Sequence, residues 1–192
     1  MSSACYLDAN IIIALLFPTD AHHKNSLERV YHLNMQGTRL VTSTYALVEV
    51  TRNTLHTLSQ LEQGKYIFAE PLPQYIRLLQ NLNPNQRCEA LLNYIISYIK
   101  NGFHIEVIEQ EYLYEIETTN NTKIAKLFHE AIKLSWINIR TKDLLHIAIA
   151  NLLKTHGVKC IITADKTDFE PIKQTLEKDL DLEVEILTTQ QS

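Results

Sequence analysis

Glycine and proline are scarce, 4 and 5 among 192 residues, and no short repeat or biased tract occurs, which excludes a collagenous, repetitive or low-complexity chain. With 45% hydrophobic and 21% charged residues, disorder is not expected either. Long apolar runs are missing as well. The longest, Ile11 to Phe17, is seven residues and stops at Pro18, far short of the ~20 that a membrane span needs, so no membrane crossing is expected. Residues 1 to 7 have neither the basic nor the apolar region of a secretory signal, and an acid arrives at Asp8. The three cysteines, Cys5, Cys88 and Cys160, are odd in number and far apart, and are expected to be buried reduced thiols of a cytoplasmic protein. There is no His/Cys cluster at zinc spacing, no Gly-x-Gly-x-x-Gly, no phosphate loop ending in Gly-Lys-Ser/Thr and no Gly-x-Ser-x-Gly elbow. Zinc hydrolases, dinucleotide enzymes, NTPases and serine hydrolases thus drop out as leading readings.

What is present suits one domain with an embellishment, at roughly 150 residues per domain. The net charge of −4 hides an uneven distribution. Residues 106 to 117 carry five acids and no base, and from Asp165 onward eight acids face three lysines. Between them, residues 118 to 164 hold seven bases against Glu130 and Asp143. That stretch reads either as a solvated helix face or as a surface that meets phosphates.

Along the chain, Ala4 to Leu7 is a short apolar run closed by Asp8 and followed by Ile11 to Phe17, the pattern of a buried strand feeding a helix. The spacing predicts a helix over 22–36 stopped by Gly37, a strand over Arg39 to Thr42, and a helix capped by Ser43 or Thr44. Prolines 71, 73 and 84 break up residues 65 to 101, where 90–99 is almost continuously apolar. A strand is expected at His104 to Ile108, helices at 122–137 and 141–155, a strand at Val158 to Thr163, a helix at 169–178 and an edge strand at Leu182 to Leu187. Strands separated by helices imply an α/β fold: a three-layer α/β/α domain with a mostly parallel central sheet.

In such sheets ligands bind beyond the carboxyl ends of the strands. Asp8 and Asp165 each follow an apolar strand, where a lone carboxylate is costly to desolvate unless a positive partner arrives. Glu49 lies early in the helix leaving the second strand, and reads also as a surface residue paired with Arg52. Asp143 lies in the first turn of the apolar 141–155 helix beside Thr141, and reads also as a cap or helix-dipole partner. Four carboxylates at element ends repel one another unless a cation joins them, and oxygen ligands suit Mg²⁺ or Mn²⁺.

Four segments in order carry a resemblance: Tyr6-Leu7-Asp8-Ala9-Asn10; Glu49 at the end of Thr42-Ser43-Thr44-Tyr45-Ala46-Leu47-Val48-Glu49; Lys142-Asp143-Leu144-Leu145-His146-Ile147-Ala148; and Ile162-Thr163-Ala164-Asp165-Lys166-Thr167-Asp168-Phe169. Together they resemble the PIN-domain nucleases, most closely the toxin-like branch. The resemblance implies a metal-dependent endoribonuclease that leaves a 5′-phosphate and a 3′-hydroxyl, with RNA as substrate. Asp8, Glu49, Asp143 and Asp165 would form its acidic quartet, Asp168 would stand nearby, and Asn10 and Thr163 would hydrogen-bond around the metal ligands. It also raises an antitoxin partner. Arg140 and Lys142, in the basic stretch, are the candidates for phosphate contacts. Glu49 and Asp143 stand 94 positions apart, more than in compact toxin-like members, so residues 65–101 are expected to be a helical insertion within a single 1–192 domain.

Two other classes fit the same residues: a catalytically silent binding or scaffold protein on this fold, and a phosphatase of the haloacid dehalogenase type. The phosphatase would need a second Asp where Asn10 stands. The retained acids argue against the scaffold. His146, one turn after Asp143, is expected chiefly as a satisfied core histidine. The apolar 90–99 helix suggests a homodimer interface, and reads also as a hairpin folded back onto its own domain as a lid beside the acidic site.

Overall fold

The computed structural model describes residues 3–61, 79, 81–108, 114–117 and 121–189. Five strands, β1 (Ala4–Leu7), β2 (Arg39–Ser43), β3 (Ile105–Ile108), β6 (Val158–Thr163) and β7 (Glu183–Ile186), form one sheet in the order β3-β2-β1-β6-β7. Every neighbouring pair in it is parallel. The helices are α1 (Ala9–Leu16), α2 (His23–Met35), α3 (Thr44–Leu61), α4 (Pro84–Phe103), α5 (Lys126–Lys133), α6 (Thr141–Leu152), α7 (Lys166–Phe169) and α8 (Lys173–Leu180).

Strand alternation explains the layering, because successive side chains point to opposite faces. Cys5, Leu7, Leu40, Cys160 and Ile162 face a core shared with α1 to α4. Ala4, Tyr6, Val41, Val158 and Ile161 face a second core shared with α5 to α8. With both faces covered, the central strands are buried along most of their length, as a three-layer α/β/α fold requires. Connections leave β1 toward β2 on one side and β6 on the other, so the order reverses at β1/β6. A crevice opens there outside the carboxyl ends of both strands.

Three expectations need correction. Residues 122–137 are not one helix: Lys123–Ala125 forms β5, paired antiparallel with β4 (Glu115–Glu117), before α5 begins. Such three-residue strands are too short to show a period. The 169–178 helix is instead α7, a 3-10 turn at Glu170–Ile172 and α8, because Pro171 cannot donate within a continuous helix. The cysteines are not three buried thiols either. Cys5 and Cys160 are register partners on adjacent strands, with Cα atoms 4.7 Å apart, and are joined in a disulfide, while Cys88 is exposed. Their separation of 155 residues concealed the pairing, and it removes one ground for expecting a cytoplasmic chain. Among the described residues, no helix is long and apolar enough to cross a membrane.

The first part of the expected 65–101 insertion lies outside the described residues; its second part is α4. Asn83 caps this helix, accepting from the backbone N–H of Gln86, while Gln86 returns a bond to the Asn83 N–H, and Pro84 opens the first turn. Leu91, Ile95, Ile99 and Phe103, four apart, are buried against the first core, and Tyr94 and Tyr98 pack beside them. The Tyr98 hydroxyl donates to the Leu15 carbonyl at 3.4 Å. The apolar surface that suggested a dimer is therefore covered by the chain's own domain. Changing Tyr94 and Tyr98 to Glu is expected to cost at least ~2 kcal/mol, or roughly 5 °C in Tm, by placing carboxylates in that packing. Light scattering should show no change in mass; a stable variant of halved mass would restore the dimer interface.

Candidate active site

Asp8 and Asp165 stand beyond the carboxyl ends of β1 and β6. Asp8 directly follows β1 and is the N-cap of α1: its Oδ1 accepts from the Ala9 N–H at 2.6 Å. Its Oδ2 accepts from Asn10 Nδ2 at 2.8 Å and from the Thr163 hydroxyl at 2.7 Å. Thr163 ends β6, and its Oγ1 also accepts from Asn10 Nδ2 and from the Asp165 N–H, each at 3.0 Å. Asn10 Oδ1 takes the Ala164 N–H at 2.9 Å. Asn10 thus ties the start of α1 to the end of β6, and Asp8 is held from both.

Asp165 caps α7, with its Oδ1 accepting from the Asp168 N–H at 3.1 Å. Asp143 caps nothing. It stands buried in the first turn of α6, where Arg140 occupies the N-cap position without a side-chain capping bond. Capping therefore falls to the two acids that follow strands, and the acid on the helix is left for the site. The Arg140 guanidinium reaches across the second group of acids: Nε to Asp143 Oδ2 at 3.1 Å, Nη2 to Asp165 Oδ2 at 2.7 Å, and Nη2 also to Asp168 Oδ2. Lys142 Nζ lies 3.6 Å from Asp143 Oδ1. Both bases proposed to contact phosphate are thus engaged with the acids.

His146 is buried, and it also enters the site. Its Nε2 lies 2.9 Å from Glu49 Oε2 and 3.2 Å from Asp8 Oδ1. An imidazole nitrogen between two carboxylates carries a hydrogen, so Nε2–H donates to them. Its Nδ1 lies 2.7 Å from the Tyr6 hydroxyl, which is 2.8 Å from Ser43 Oγ. In the imidazolium form, Nδ1–H donates to Tyr6 and Tyr6 donates to Ser43. Ser43 also caps α3, accepting from the Ala46 N–H at 3.1 Å, and so links that cap to the helix bearing Glu49. The Tyr6–Ser43 pair was not visible in the sequence. Only the placement of Tyr6 two residues before Asp8, on the same strand face, hinted at it.

The electrostatics follow. Burial works against the His146 imidazolium, but the carboxylates of Asp8, Glu49 and Asp143 hold its pKa above the ordinary value. Burial pushes the Asp143 carboxyl up; Lys142 and Arg140 oppose this, and Asp8 and Asp165 add to it. Burial would also raise Glu49, but the hydrogen bond and charge of His146, with Lys142 and Arg140, keep it below the usual value. Tyr45, edge-on to His146, is pushed up to about 12 by burial and then by Glu49, Asp143 and Asp8.

The ligand atoms form two groups, each with its own members within 4.8 Å of one another: Asp8, Glu49 and His146; and Asp143, Asp165 and Asp168. Both suit a divalent cation by chemistry, since a hard cation takes carboxylate oxygens and a first-row metal also accepts an imidazole nitrogen. The charge balance agrees, because among the described residues the five carboxylates Asp8, Glu49, Asp143, Asp165 and Asp168 outnumber their cationic partners Arg140, Lys142 and His146, and a divalent cation would offset the excess.

The fold and site together define a parallel α/β protein with a carboxylate cluster at its topological switch point. No family model matches this chain, and no curated protein matches it. Among solved structures, it is similar to the crystal structure of Mycobacterium tuberculosis VapC20, a sarcin-ricin loop cleaving toxin, at 14% identity and a TM-score of 0.39, covering 82% of this chain and 86% of that one.

Proposed function

We propose that the protein is a divalent-metal-dependent endoribonuclease that hydrolyses RNA phosphodiesters. One observation carries this: beyond the carboxyl ends of the strands, Asp8 and Glu49 meet at His146, Asp143 and Asp165 meet at Arg140, and Asn10 and Thr163 orient Asp8. Asp8 and Asp143 would be the main ligands of Mg²⁺ or Mn²⁺. A cation held there supplies a more acidic bound water and neutralises charge on the phosphoryl oxygens. Asn10 and Thr163 keep the Asp8 carboxylate in one orientation, as hydrogen-bond partners of a ligand do. Glu49 and Asp165 complete the acidic wall and accept a proton from water entering along it. Arg140 and Lys142 turn to backbone phosphate when the acids gain another positive partner; Arg140 is free to do so because its side chain is more than half exposed.

The same Arg140 contacts favour one other reading, a scaffold in which the chain's own cations replace the metal permanently. The test is cleavage of labelled single-stranded RNA and DNA with Mg²⁺, Mn²⁺ or EDTA, set against the Asp8→Asn protein. RNA cleavage that appears with the metal, stops in EDTA and is lost in the variant is expected. Equal behaviour under all conditions would leave the scaffold.

A further inference from the structure

Each of the two acidic groups carries one of the chain's own cations, and the two cations are held differently. His146 sits between Asp8 and Glu49 with its side chain 1% exposed, and its other ring nitrogen is bonded to Tyr6 at 2.7 Å. It is built into the core. Arg140 bridges Asp143, Asp165 and Asp168 with a side chain that is 56% exposed. Its backbone is fixed independently of these contacts, because the Arg140 carbonyl accepts from the Asp143 N–H at 3.0 Å and from the Leu144 N–H at 2.9 Å at the start of α6. The guanidinium can therefore leave the acids while the helix start keeps its bonds.

The acids have supports of their own. Asp143 is carried by the first turn of α6, Asp165 Oδ1 accepts from the Asp168 N–H at 3.1 Å, and the Asp165 N–H donates to Thr163 Oγ1 at 3.0 Å. What Arg140 takes is the Oδ2 atom of all three. One ligand atom from each of these residues lies within 4.8 Å of the others, and a divalent cation binds carboxylate oxygens at about 2.0–2.6 Å. The cation and the guanidinium cannot hold the same oxygens together. Two positive charges against one favour the metal, and a half-exposed arginine pair is a weak incumbent in water.

We propose that Arg140 is a displaceable stopper on the Asp143, Asp165 and Asp168 group: it closes this metal position until a divalent cation takes its oxygens, and the displaced guanidinium then serves as the arm that meets phosphate. The stopper regulates the site of the metal-dependent ribonuclease reading above and rests on that reading. His146 takes no part in such an exchange, because burial and its bond to Tyr6 keep it on Asp8 and Glu49. Lys142 is the natural comparison, a like charge with one long contact to the group, 3.6 Å to Asp143.

The experiment titrates Mn²⁺ into the metal-free wild type, Arg140→Ala and Lys142→Ala, counting free ion by its electron paramagnetic resonance signal and following Tm in parallel. Arg140→Ala should bind Mn²⁺ about tenfold more tightly than the wild type, the scale of a coupling between two ligands that compete for one group, and its Tm should rise more on adding the ion. Lys142→Ala removes the same charge and should tighten binding much less. Arg140→Gln, which keeps most of the side chain, stands in if the alanine protein does not melt cooperatively. Unchanged or weaker Mn²⁺ binding in Arg140→Ala would overturn the stopper and leave the metal-dependent reading standing, because the wild type binds the ion. An equal gain in Arg140→Ala and Lys142→Ala would overturn it too, by reducing Arg140 to a general charge effect. Binding by Arg140→Ala but not by the wild type would show the arginine to be immovable, which overturns displacement in favour of the scaffold. Binding by none of the proteins would remove the metal-dependent reading together with the stopper.

Discussion

Asp143→Asn is expected to lower RNA cleavage by at least ~10²-fold, the scale on which losing one charge-stabilising group of an active site is felt. In EDTA the same variant should melt close to the wild type. The reason is specific to this acid: burial raises its pKa, Asp8 and Asp165 repel it, and it caps no helix. An amide of equal size relieves these costs and gives up the contacts to Arg140 and Lys142, of which the Lys142 one is long. Asp8→Asn should abolish cleavage to the same degree but also lose stability, on the order of 1–3 kcal/mol. Its carboxylate accepts from Ala9, Asn10 and Thr163, and an amide cannot accept at both ends. Calorimetry in EDTA beside a cleavage assay separates the two. An Asp143→Asn protein that melted far below wild type without metal would show that acid to be structural.

His146→Ala is expected to be the most damaging single change to the metal-free fold, about 3 kcal/mol, or on the order of 10 °C in Tm. It leaves Asp8 and Glu49 without their shared donor and takes one of its hydrogen-bond partners from the buried Tyr6 hydroxyl. Added Mg²⁺ or Mn²⁺ should restore part of the loss, since a cation at the acids replaces the missing positive charge.

The direction of the pH dependence follows from the same groups. The folded pKa of His146 is raised, so its contribution is fully present below about 6.5 and is lost as pH rises through the higher folded value. Asp143, also raised, works the same way from about 3.9 upward. Glu49, lowered, contributes above about 4.3 and loses that contribution as pH falls. The metal-free protein should therefore be most stable under mildly acidic conditions and weaken toward alkaline pH. His146→Ala should flatten the alkaline side of that curve. An unchanged alkaline slope in thermal melts of the variant would show that His146 is not the group responsible.

How much of this was legible depends on range. The strands Ala4–Leu7 and Val158–Thr163 were readable because both faces of a central parallel strand are buried and the sequence there is mostly apolar, with Lys159 the one exposed residue of the second. The β4/β5 hairpin and the break at Pro171 were not, since elements of three or four residues carry no period. The acids could be nominated from their positions after strands and at helix starts. Their partners could not: Asp8 and Thr163 are 155 residues apart, and His146 and Glu49 are 97.

By itself, then, the sequence determined the parallel α/β layering and the candidate carboxylates, because strand and helix periodicity and the acid that ends a strand are local properties of the chain. Only the tertiary structure decided that Cys5 meets Cys160, that α4 covers its own domain, that His146 and Arg140 supply cations to the acids, and that Phe128 and Trp136 stay exposed. Each of these depends on which strand lies beside which and which helix face turns inward, and register and packing are settled only when distant segments compete for the same core.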